Sequence, residues 1–239
     1  MKQLARSFVS YWSDFLDLLF PRLCLACSHS LVGQEALLCT ACQATLPRAR
    51  EDSLLVQQLP YKLAAYPEVC GVEAFLVYRK KGRVQRLLRA LKYRNQPEVG
   101  VLLGRLFGQE LQAEARWPEA VDWIVPVPLH PKKYRQRGYN QSDCLAEGLS
   151  SVTQVPTKAN MLRRTQYTLS QTGKNKLERW ENVKGVFELT DCQESLKGRR
   201  IVLVDDVLTT GATLQACVEA LTAADCKHIH IMTLAAAQS

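Results

Sequence analysis

Long apolar runs are absent from this sequence of 239 residues, and glycine and proline are scarce. No stretch is long enough to cross a bilayer as a helix. The 12 glycines and 10 prolines, with 47% hydrophobic and 23% charged residues, exclude a collagen-like chain, a disordered chain and a disulfide-stapled miniprotein. The length suits one sizeable domain with a small annex and is too short for two full α/β domains.

The N-terminal segment lacks the features of a secretion signal. Asp14 and Asp17 interrupt its apolar run, and no Ala-x-Ala-like cleavage site follows. Residues 1–20 are instead predicted to form an amphipathic helix that docks on the body, with a membrane-surface helix as the alternative. Without a secretion signal, we expect a cytoplasmic protein whose cysteines are thiols or metal ligands. The apolar stripe of the helix consists of Phe8, Trp12, Phe15, Leu16 and Leu19.

Four of the nine cysteines form two Cys-x-x-Cys pairs with eleven residues between them. Two such pairs complete a tetrahedral thiolate shell without an open position, so residues 21–50 are predicted to hold a structural Zn²⁺. A redox site would need only one pair at the start of a helix. The predicted ligands are Cys24, Cys27, Cys39 and Cys42, with His29 as a further candidate. The other cysteines are predicted to be small apolar residues, and they are Cys70, Cys144, Cys192, Cys217 and Cys226.

The rest of the chain alternates short apolar strands with helices. Residues 51–71 are predicted to be a connector with one short helix, and residues 72–239 a single α/β domain. Strands are expected at Val72–Tyr78, Val121–Pro128 and Ile201–Val204, and helices at Gly82–Arg94 and Pro97–Ala115. This alternation predicts a mainly parallel sheet with helices on both faces.

The most informative segment follows the apolar strand Ile201–Val204. Asp205 and Asp206 stand at its carboxyl end, and a small, hydroxyl-rich turn then opens a helix predicted over Thr213–Ala223. Backbone N–H groups and the helix dipole can hold a phosphate at such a turn, which consists of Thr209, Thr210, Gly211, Ala212 and Thr213. The turn lacks the glycine patterns of P-loop ATPases and of dinucleotide-binding dehydrogenases.

The segment VLVDDVLTTGAT resembles the phosphoribosyl pyrophosphate signature of the type I phosphoribosyltransferases. A narrower resemblance, to the ComF/GntX-like proteins, covers nearly the whole chain. It combines the four-cysteine knuckle, this signature and PVPLHPKKYRQRGYNQ from Pro126 to Gln141. The resemblance implies a type I phosphoribosyltransferase fold behind a zinc-binding annex, with the two acids on the ribose hydroxyls and the turn around the 5′-phosphate.

Two basic segments are candidates for the rest of such a site. The first is predicted to be a cationic loop at the same sheet edge, suited to pyrophosphate, and precedes a helix around Ser142–Leu149. Its candidates are Lys132, Lys133, Arg135 and Arg137. The second resembles a flexible loop that closes over the ligand, with an ordinary surface segment as the alternative. Its candidates are Arg163, Arg164, Thr165, Gln171, Lys174, Arg179 and Asn182.

The net charge of +8 favours anionic partners without choosing among phosphates, nucleotides and nucleic acid. The resemblance implies binding of phosphoribosyl pyrophosphate or a nucleotide, and transfer of the phosphoribosyl group to a nitrogen nucleophile with Mg²⁺. Asp205 and Asp206 would position the sugar. The alternative is a non-catalytic protein of competence and DNA uptake, which binds single-stranded DNA or a nucleotide. Its contacts would come from the basic helix Gly82–Arg94, with Tyr93, and from the zinc knuckle.

Overall fold

A computed structural model describes residues 21–49, 54–165, 186–190 and 195–237. The predicted helix over residues 1–20 lies outside these ranges, within which no helix is long and apolar enough to cross a membrane. The helices, in chain order, are α1 (Thr40–Thr45), α2 (Leu54–Lys62), α3 (Arg83–Tyr93), α4 (Glu98–Ala113), α5 (Pro131–Arg137), α6 (Gln141–Thr153) and α7 (Ala212–Thr222). The strands are β1 (Val69–Tyr78), β2 (Trp123–Pro126), β3 (Leu162–Arg164), β4 (Phe187–Leu189), β5 (Arg200–Leu208) and β6 (His228–Ala237).

Four of the strands form a parallel sheet in the order β1-β6-β5-β2. The predicted parallel sheet is therefore confirmed. Thr157 adds a parallel bridge to Ile124 beside β2. The short strands β3 and β4 pair antiparallel in a separate ribbon. The carboxyl ends of the four parallel strands meet at one edge, where ligands of such sheets bind.

The core lies on both faces of the sheet. Alternate residues of β5 point to opposite sides, so that Val202 and Val204 pack with α3, α4 and α6 while Ile201 and Leu203 pack with α7. The four side chains are fully buried, as expected for a central strand. The helix α2, from the predicted connector, packs Leu59 into the second face of this core. Strand β1 begins at Val69, so the sheet starts inside the segment predicted as a connector.

The annex attaches to the edge of the sheet at β1. Arg48 forms an antiparallel bridge with Leu76, and the backbone amide of Ala49 donates to the carbonyl of Phe75 at 2.9 Å. The Arg48 guanidinium also lies over the Phe75 ring and pairs with Glu110 at 2.6 Å. These contacts cover backbone groups that an edge strand would otherwise expose.

Two glycines allow α4 and α6 to pack in close contact. A Cβ atom on Gly104 would lie 2.3 Å from the carbonyl oxygen of Leu145, and one on Gly148 would lie 2.2 Å from that of Val101. These positions admit no side chain, because the obstructing atoms belong to the backbone of the opposite helix. The close packing holds α6 against the sheet, and its capping residue Asn140 donates to the carbonyl of Val127, just after β2.

Three of the other cysteines are buried as predicted, and they are Cys144, Cys217 and Cys226. Cys192 lies outside the described residues. The prediction was wrong for Cys70, which is exposed. Cys70 lies where the pairing of the edge strand β1 with β6 shifts by one residue. Such an irregularity re-aims a side chain, and the Cys70 thiol lies 3.0 Å from Nδ1 of His228 instead of in the core.

Candidate functional site

Asp205 and Asp206 lie in the second half of β5, which is longer than the predicted apolar strand. One oxygen of Asp205, Oδ1, accepts two hydrogen bonds, from the Ser142 hydroxyl at 3.2 Å and from the Asp206 amide at 2.8 Å. Burial, and secondly the neighbouring Asp206 carboxylate, raise the pKa of Asp205 to about 7. The carboxyl group therefore changes charge near neutral pH, unlike an ordinary aspartate.

Ser142 belongs to the site although the sequence analysis gave it no role. It is 2% exposed and occupies the first turn of α6. Asn140 caps this helix and also donates to the carbonyl of Val127, which follows β2. The cap therefore fixes the start of α6 to the end of β2, which brings Ser142 to Asp205 on the neighbouring strand. The segment GYNQS carried a helix-capping signal, but only the sheet order shows where that cap points.

Asp206 forms an ion pair with a residue from a distant part of the chain. Its Oδ2 lies 2.7 Å from Nζ of Lys92, in the last turn of α3, and about a fifth of each side chain is exposed. Lys92 lies on the basic face of the helix predicted at Gly82–Arg94, which would contact DNA only under the alternative function. In the structure this face is divided among three environments. Arg83 and Arg86 bond to the annex, Lys92 reaches the acid pair, and residues such as Arg89 remain exposed.

The turn after β5 forms a pocket of about 30 Å³ between Asp205 and the start of α7. Gly211 caps α7 with a φ of +86°, a backbone conformation that side chains rarely adopt. A Cβ atom there would also lie 2.4 Å from a methyl group of Leu59, so α2 closes one side of the turn. The pocket is lined by Thr209, Thr210, Gly211, Ala212 and Thr213 together with neighbouring strand residues. The helix starts at Ala212, one residue before the prediction.

The basic segment after β2 is a short helix, α5, and the prediction of a loop was wrong. His130 accepts a hydrogen bond from the Lys132 amide and caps the helix, while Gly138 ends it with a left-handed φ of +81°. Helical spacing divides the four predicted cations into two pairs. Lys133 and Arg137 are partly buried, one turn apart, on the side facing the sheet edge, whereas Lys132 and Arg135 are exposed.

Lys133 lies in a positively charged environment. Burial, and then the charges of Arg164, Arg137 and Lys92, lower the pKa of Lys133, while Asp206 opposes the shift. Arg137 donates to the side chain of Gln141 at 2.6 Å. Lys133 therefore belongs to a cluster of four cations from three separate elements, α3, α5 and β3, and Asp206 acts on Lys133 with the opposite charge. Such a cluster is suited to a ligand that carries several negative charges.

The predicted flexible loop joins β3 to β4, and most of it lies outside the described residues. This applies to Gln171, Lys174, Arg179 and Asn182. Arg164 lies at the start of this segment, near Asp205 and Cys217, and burial lowers its pKa. Arg163 points to the other face of the ribbon, where it pairs with Glu188 at 3.1 Å. The Thr165 hydroxyl donates to the carbonyl of Val186, the residue before β4.

The annex brings the four predicted metal ligands together. The sulfur atoms of Cys24, Cys27, Cys39 and Cys42 all lie within 4.8 Å of one another. Backbone amides of Cys39 and Cys42 point to sulfur atoms of the cluster at 3.4 Å, and Arg83 lies 3.7 Å from the Cys42 sulfur. Such donors stabilise thiolates around a metal, and a set of four thiolates is typical of structural Zn²⁺. His29 is exposed and lies outside this cluster.

Two family models match parts of the chain. A double zinc ribbon domain matches residues 15–54, and a phosphoribosyl transferase domain matches residues 154–239. The first match contains the cysteine cluster, and the second contains Asp205, Asp206 and the turn. The predicted fold, a phosphoribosyltransferase domain behind a zinc-binding annex, is therefore confirmed, and the annex is a structural zinc site.

Among curated proteins, the chain is similar to competence protein F of Haemophilus influenzae, with 34% identity over 156 residues, 63% of this chain and 67% of the relative. It is 30% identical over 207 residues to the DNA utilization protein YhgH of Escherichia coli O157:H7, which covers 81% of this chain and 88% of the relative. Competence protein ComFC of Bacillus subtilis is 29% identical over 138 residues, 58% of this chain and 53% of the relative.

Solved phosphoribosyltransferases resemble the chain in fold alone. The glutamine phosphoribosylpyrophosphate amidotransferase from B. subtilis, complexed with ADP and GMP, matches 61% of this chain and 30% of its own at 20% identity, with a TM-score of 0.40. The adenine phosphoribosyl transferase from Trypanosoma brucei, in complex with AMP, pyrophosphate and ribose-5-phosphate, matches 80% of this chain and 85% of its own at 14% identity, with a TM-score of 0.37.

Proposed function

We propose a function from the premise that the chain belongs to the ComF/GntX-like family of phosphoribosyltransferase-fold proteins. The protein binds phosphoribosyl pyrophosphate or a nucleotide at the carboxyl edge of the sheet, and transfers the phosphoribosyl group to a nitrogen nucleophile with release of pyrophosphate. One observation carries this proposal. A pair of carboxylates, a helix-capping turn of small residues and two inward cations of α5 meet at one sheet edge.

The 5′-phosphate would bind at the turn from Thr209 to Thr213. The backbone amides that open α7 and the hydroxyl groups of the turn are donors for phosphate oxygens, and the helix dipole adds a positive potential. The pocket is small, at about 30 Å³. The small residues of the turn let a phosphoryl group approach the backbone closely. We therefore assign the turn to the monophosphate end of the ligand.

The ribose hydroxyls would contact Asp205 and Asp206. Carboxylate oxygens accept hydrogen bonds from hydroxyl groups and are also ligands that Mg²⁺ prefers. The acid pair therefore fits a Mg²⁺ that would neutralise the diphosphate and activate it as a leaving group. The role of the pair is to orient C1 of the sugar. The Ser142 hydroxyl and the Asp206 amide hold Asp205 for this purpose.

Lys133 and Arg137 would bind the pyrophosphate. As the nitrogen lone pair forms the bond to C1, the bond from C1 to the diphosphate oxygen breaks and its electron pair leaves with pyrophosphate. Charge develops on that oxygen in the transition state, where fixed cations give the largest stabilisation. Lys132 and Arg135 are exposed and play no part in this proposal.

A second candidate function is binding of single-stranded DNA in competence or DNA uptake. The names of the relatives favour it, and so does one surface feature. Tyr93 is 73% exposed at the end of α3, and Arg137 lies 5.4 Å from its ring centroid. An exposed aromatic ring beside cations can stack a base. The rest of the basic face supports this candidate less than its sequence suggested, because Arg83 and Arg86 contact the annex.

Paired substitutions on α5 distinguish the two candidates. We expect Lys133→Met with Arg137→Met to abolish binding of phosphoribosyl pyrophosphate in the presence of Mg²⁺, and to spare a nucleoside monophosphate, whose phosphate lies on the other turn. Lys132→Met with Arg135→Met is the matched control, since it removes the same charge from the same helix. Calorimetric titration measures both ligands at fixed salt.

Single-stranded DNA is titrated with the same variants over a range of salt concentrations. If DNA is the ligand, loss of each phosphate contact lowers the slope of log affinity against log salt by about 0.7. The ranking of the candidates would be reversed if both double variants still bind phosphoribosyl pyrophosphate while the variant at Lys133 and Arg137 no longer binds DNA. Absence of binding of either small ligand to the unmodified protein would refute the enzyme proposal.

A further inference from the structure

The ion pair between Lys92 and Asp206 lies where the proposed ligand must bind. Lys92 Nζ and Asp206 Oδ2 are 2.7 Å apart, and both side chains are mostly buried. Asp206 is also one of the two carboxylates that would orient the sugar. An oxygen that pairs with Lys92 cannot at the same time accept a full-strength hydrogen bond from a sugar hydroxyl or coordinate a cation. Ligand binding therefore requires a change at this ion pair.

The backbone around Lys92 is held in place, whereas its side chain can move. At the first turn of α3, Arg83 donates to the backbone and side chain of Thr45, and Arg86 donates to the carbonyl of Ala26 at 3.0 Å. At the last turn, the Tyr139 hydroxyl donates to the carbonyl of Leu91. A lysine has a flexible four-carbon stem. Its ammonium group can therefore shift by several ångströms while the helix stays fixed.

The electrostatic surroundings indicate where the ammonium group would go. Lys92, Arg137 and Arg164 all disfavour the charge of Lys133, and Asp206 favours it. Lys92 thus pairs with Asp206, also favours the charge of Asp205, and is repelled by the nearby charge of Lys133. A diphosphate in this space would reverse the balance, because it offers anionic oxygens to each of these cations at once.

We propose that Lys92 is a ligand-binding residue that exchanges partners when the ligand binds. It neutralises Asp206 in the free protein. When the sugar takes Asp206, Lys92 transfers to the diphosphate on C1 and joins Lys133 there. This inference rests on the proposed function. It assigns Lys92 a role in specificity, because a diphosphate on C1 offers Lys92 a new anionic partner, which a ligand without a diphosphate does not.

The exchange predicts effects of opposite sign for two ligands. In Lys92→Met we expect phosphoribosyl pyrophosphate to bind about tenfold more weakly or worse, since a charge-assisted contact is lost. Ribose 5-phosphate should bind up to about fivefold more tightly, because no partly exposed ion pair has to break. Both affinities are measured by calorimetric titration with Mg²⁺. Lys92→Arg, which keeps the charge, should restore part of the binding of phosphoribosyl pyrophosphate.

A charge-matched control is Lys197→Met, because Lys197 is exposed at the opposite end of the sheet. It should change neither affinity. If Lys92 only stabilises the fold, Lys92→Met will weaken both ligands together or change neither, and that result refutes the exchange. Thermal unfolding and zinc content establish whether the variants fold. If Lys92→Met does not fold, Lys92→Arg is compared with the wild type instead. Wild-type protein that binds neither ligand would instead remove the proposed function, and this inference with it.

Discussion

The substitution Asp205→Asn tests the electrostatic description of the site. Both hydrogen bonds to Asp205 end on the same oxygen, Oδ1, and an asparagine side-chain oxygen can accept them in the same place. The substitution therefore removes a charge while it retains the contacts that hold the residue. We expect the variant to be more stable than the wild type in alkaline solution, because burial makes the Asp205 charge costly.

The expected magnitude follows from the pKa. Burial raises the pKa of Asp205 from its ordinary value of 3.8 to about 7, so the native state keeps a proton that the unfolded chain releases. Wild-type stability therefore falls as the pH rises from about 4 to about 7. The pKa shift covers about three pH units, and roughly two of them lie above pH 5. These two units correspond to a fall of about 2–3 kcal/mol in the free energy of unfolding. Asp205→Asn lacks this loss, so its advantage over the wild type should grow by that amount between about pH 5 and about pH 8.5.

Urea denaturation at the two pH values measures the difference, with zinc retained throughout. Asp122→Asn is a control of opposite sign. The backbone amide of Arg200 and, after the opposing effect of burial, the side chain of Arg199 lower the pKa of Asp122, so this carboxylate stabilises the fold above its unfolded pKa and the stabilisation is lost in acid. An Asp205→Asn variant that is no more stable than the wild type at about pH 8.5 would contradict the reasoning.

Three further predictions follow from the same geometry. Elemental analysis of protein purified without chelator should find one zinc per chain. Chelation should lower the unfolding temperature, since structural zinc contributes about 10–16 kcal/mol in small fingers, and folded protein without zinc would contradict this prediction. Gly104→Ala should destabilise the fold by about 1–3 kcal/mol or more in urea denaturation, because the added methyl group meets backbone of α6, whereas Ala at the exposed Gly33 position should act only through its local backbone strain. Binding of phosphoribosyl pyrophosphate with Mg²⁺ should weaken as the pH falls below about 7, where Asp205 takes up a proton. In calorimetric titrations Asp205→Asn should lack the part of that pH dependence that comes from this carboxyl group, while the part that comes from the ligand's phosphate groups remains.

The sequence determined those features whose physical cause is local. The spacing of four cysteines within 19 residues is enough to indicate a thiolate zinc site, because the chain between them is short. The apolar run Ile201–Val204 indicates a strand buried on both faces, and the acids and small residues that follow it are the basis for proposing a phosphate site at its end. In each case neighbouring residues carry the whole signal.

Tertiary structure alone decided the features that depend on distant partners. Lys92 and Ser142 are ordinary residues of amphipathic helices in the sequence, and they reach Asp206 and Asp205 only because α3 and α6 pack against one face of the sheet. The basic segment after β2 is divided into inward and outward cations because it is helical, and its capping by His130 and Gly138 was not recognised in the sequence. Long-range packing therefore selected the members of the site, since the charge of a lysine or an arginine is the same on every face of a helix.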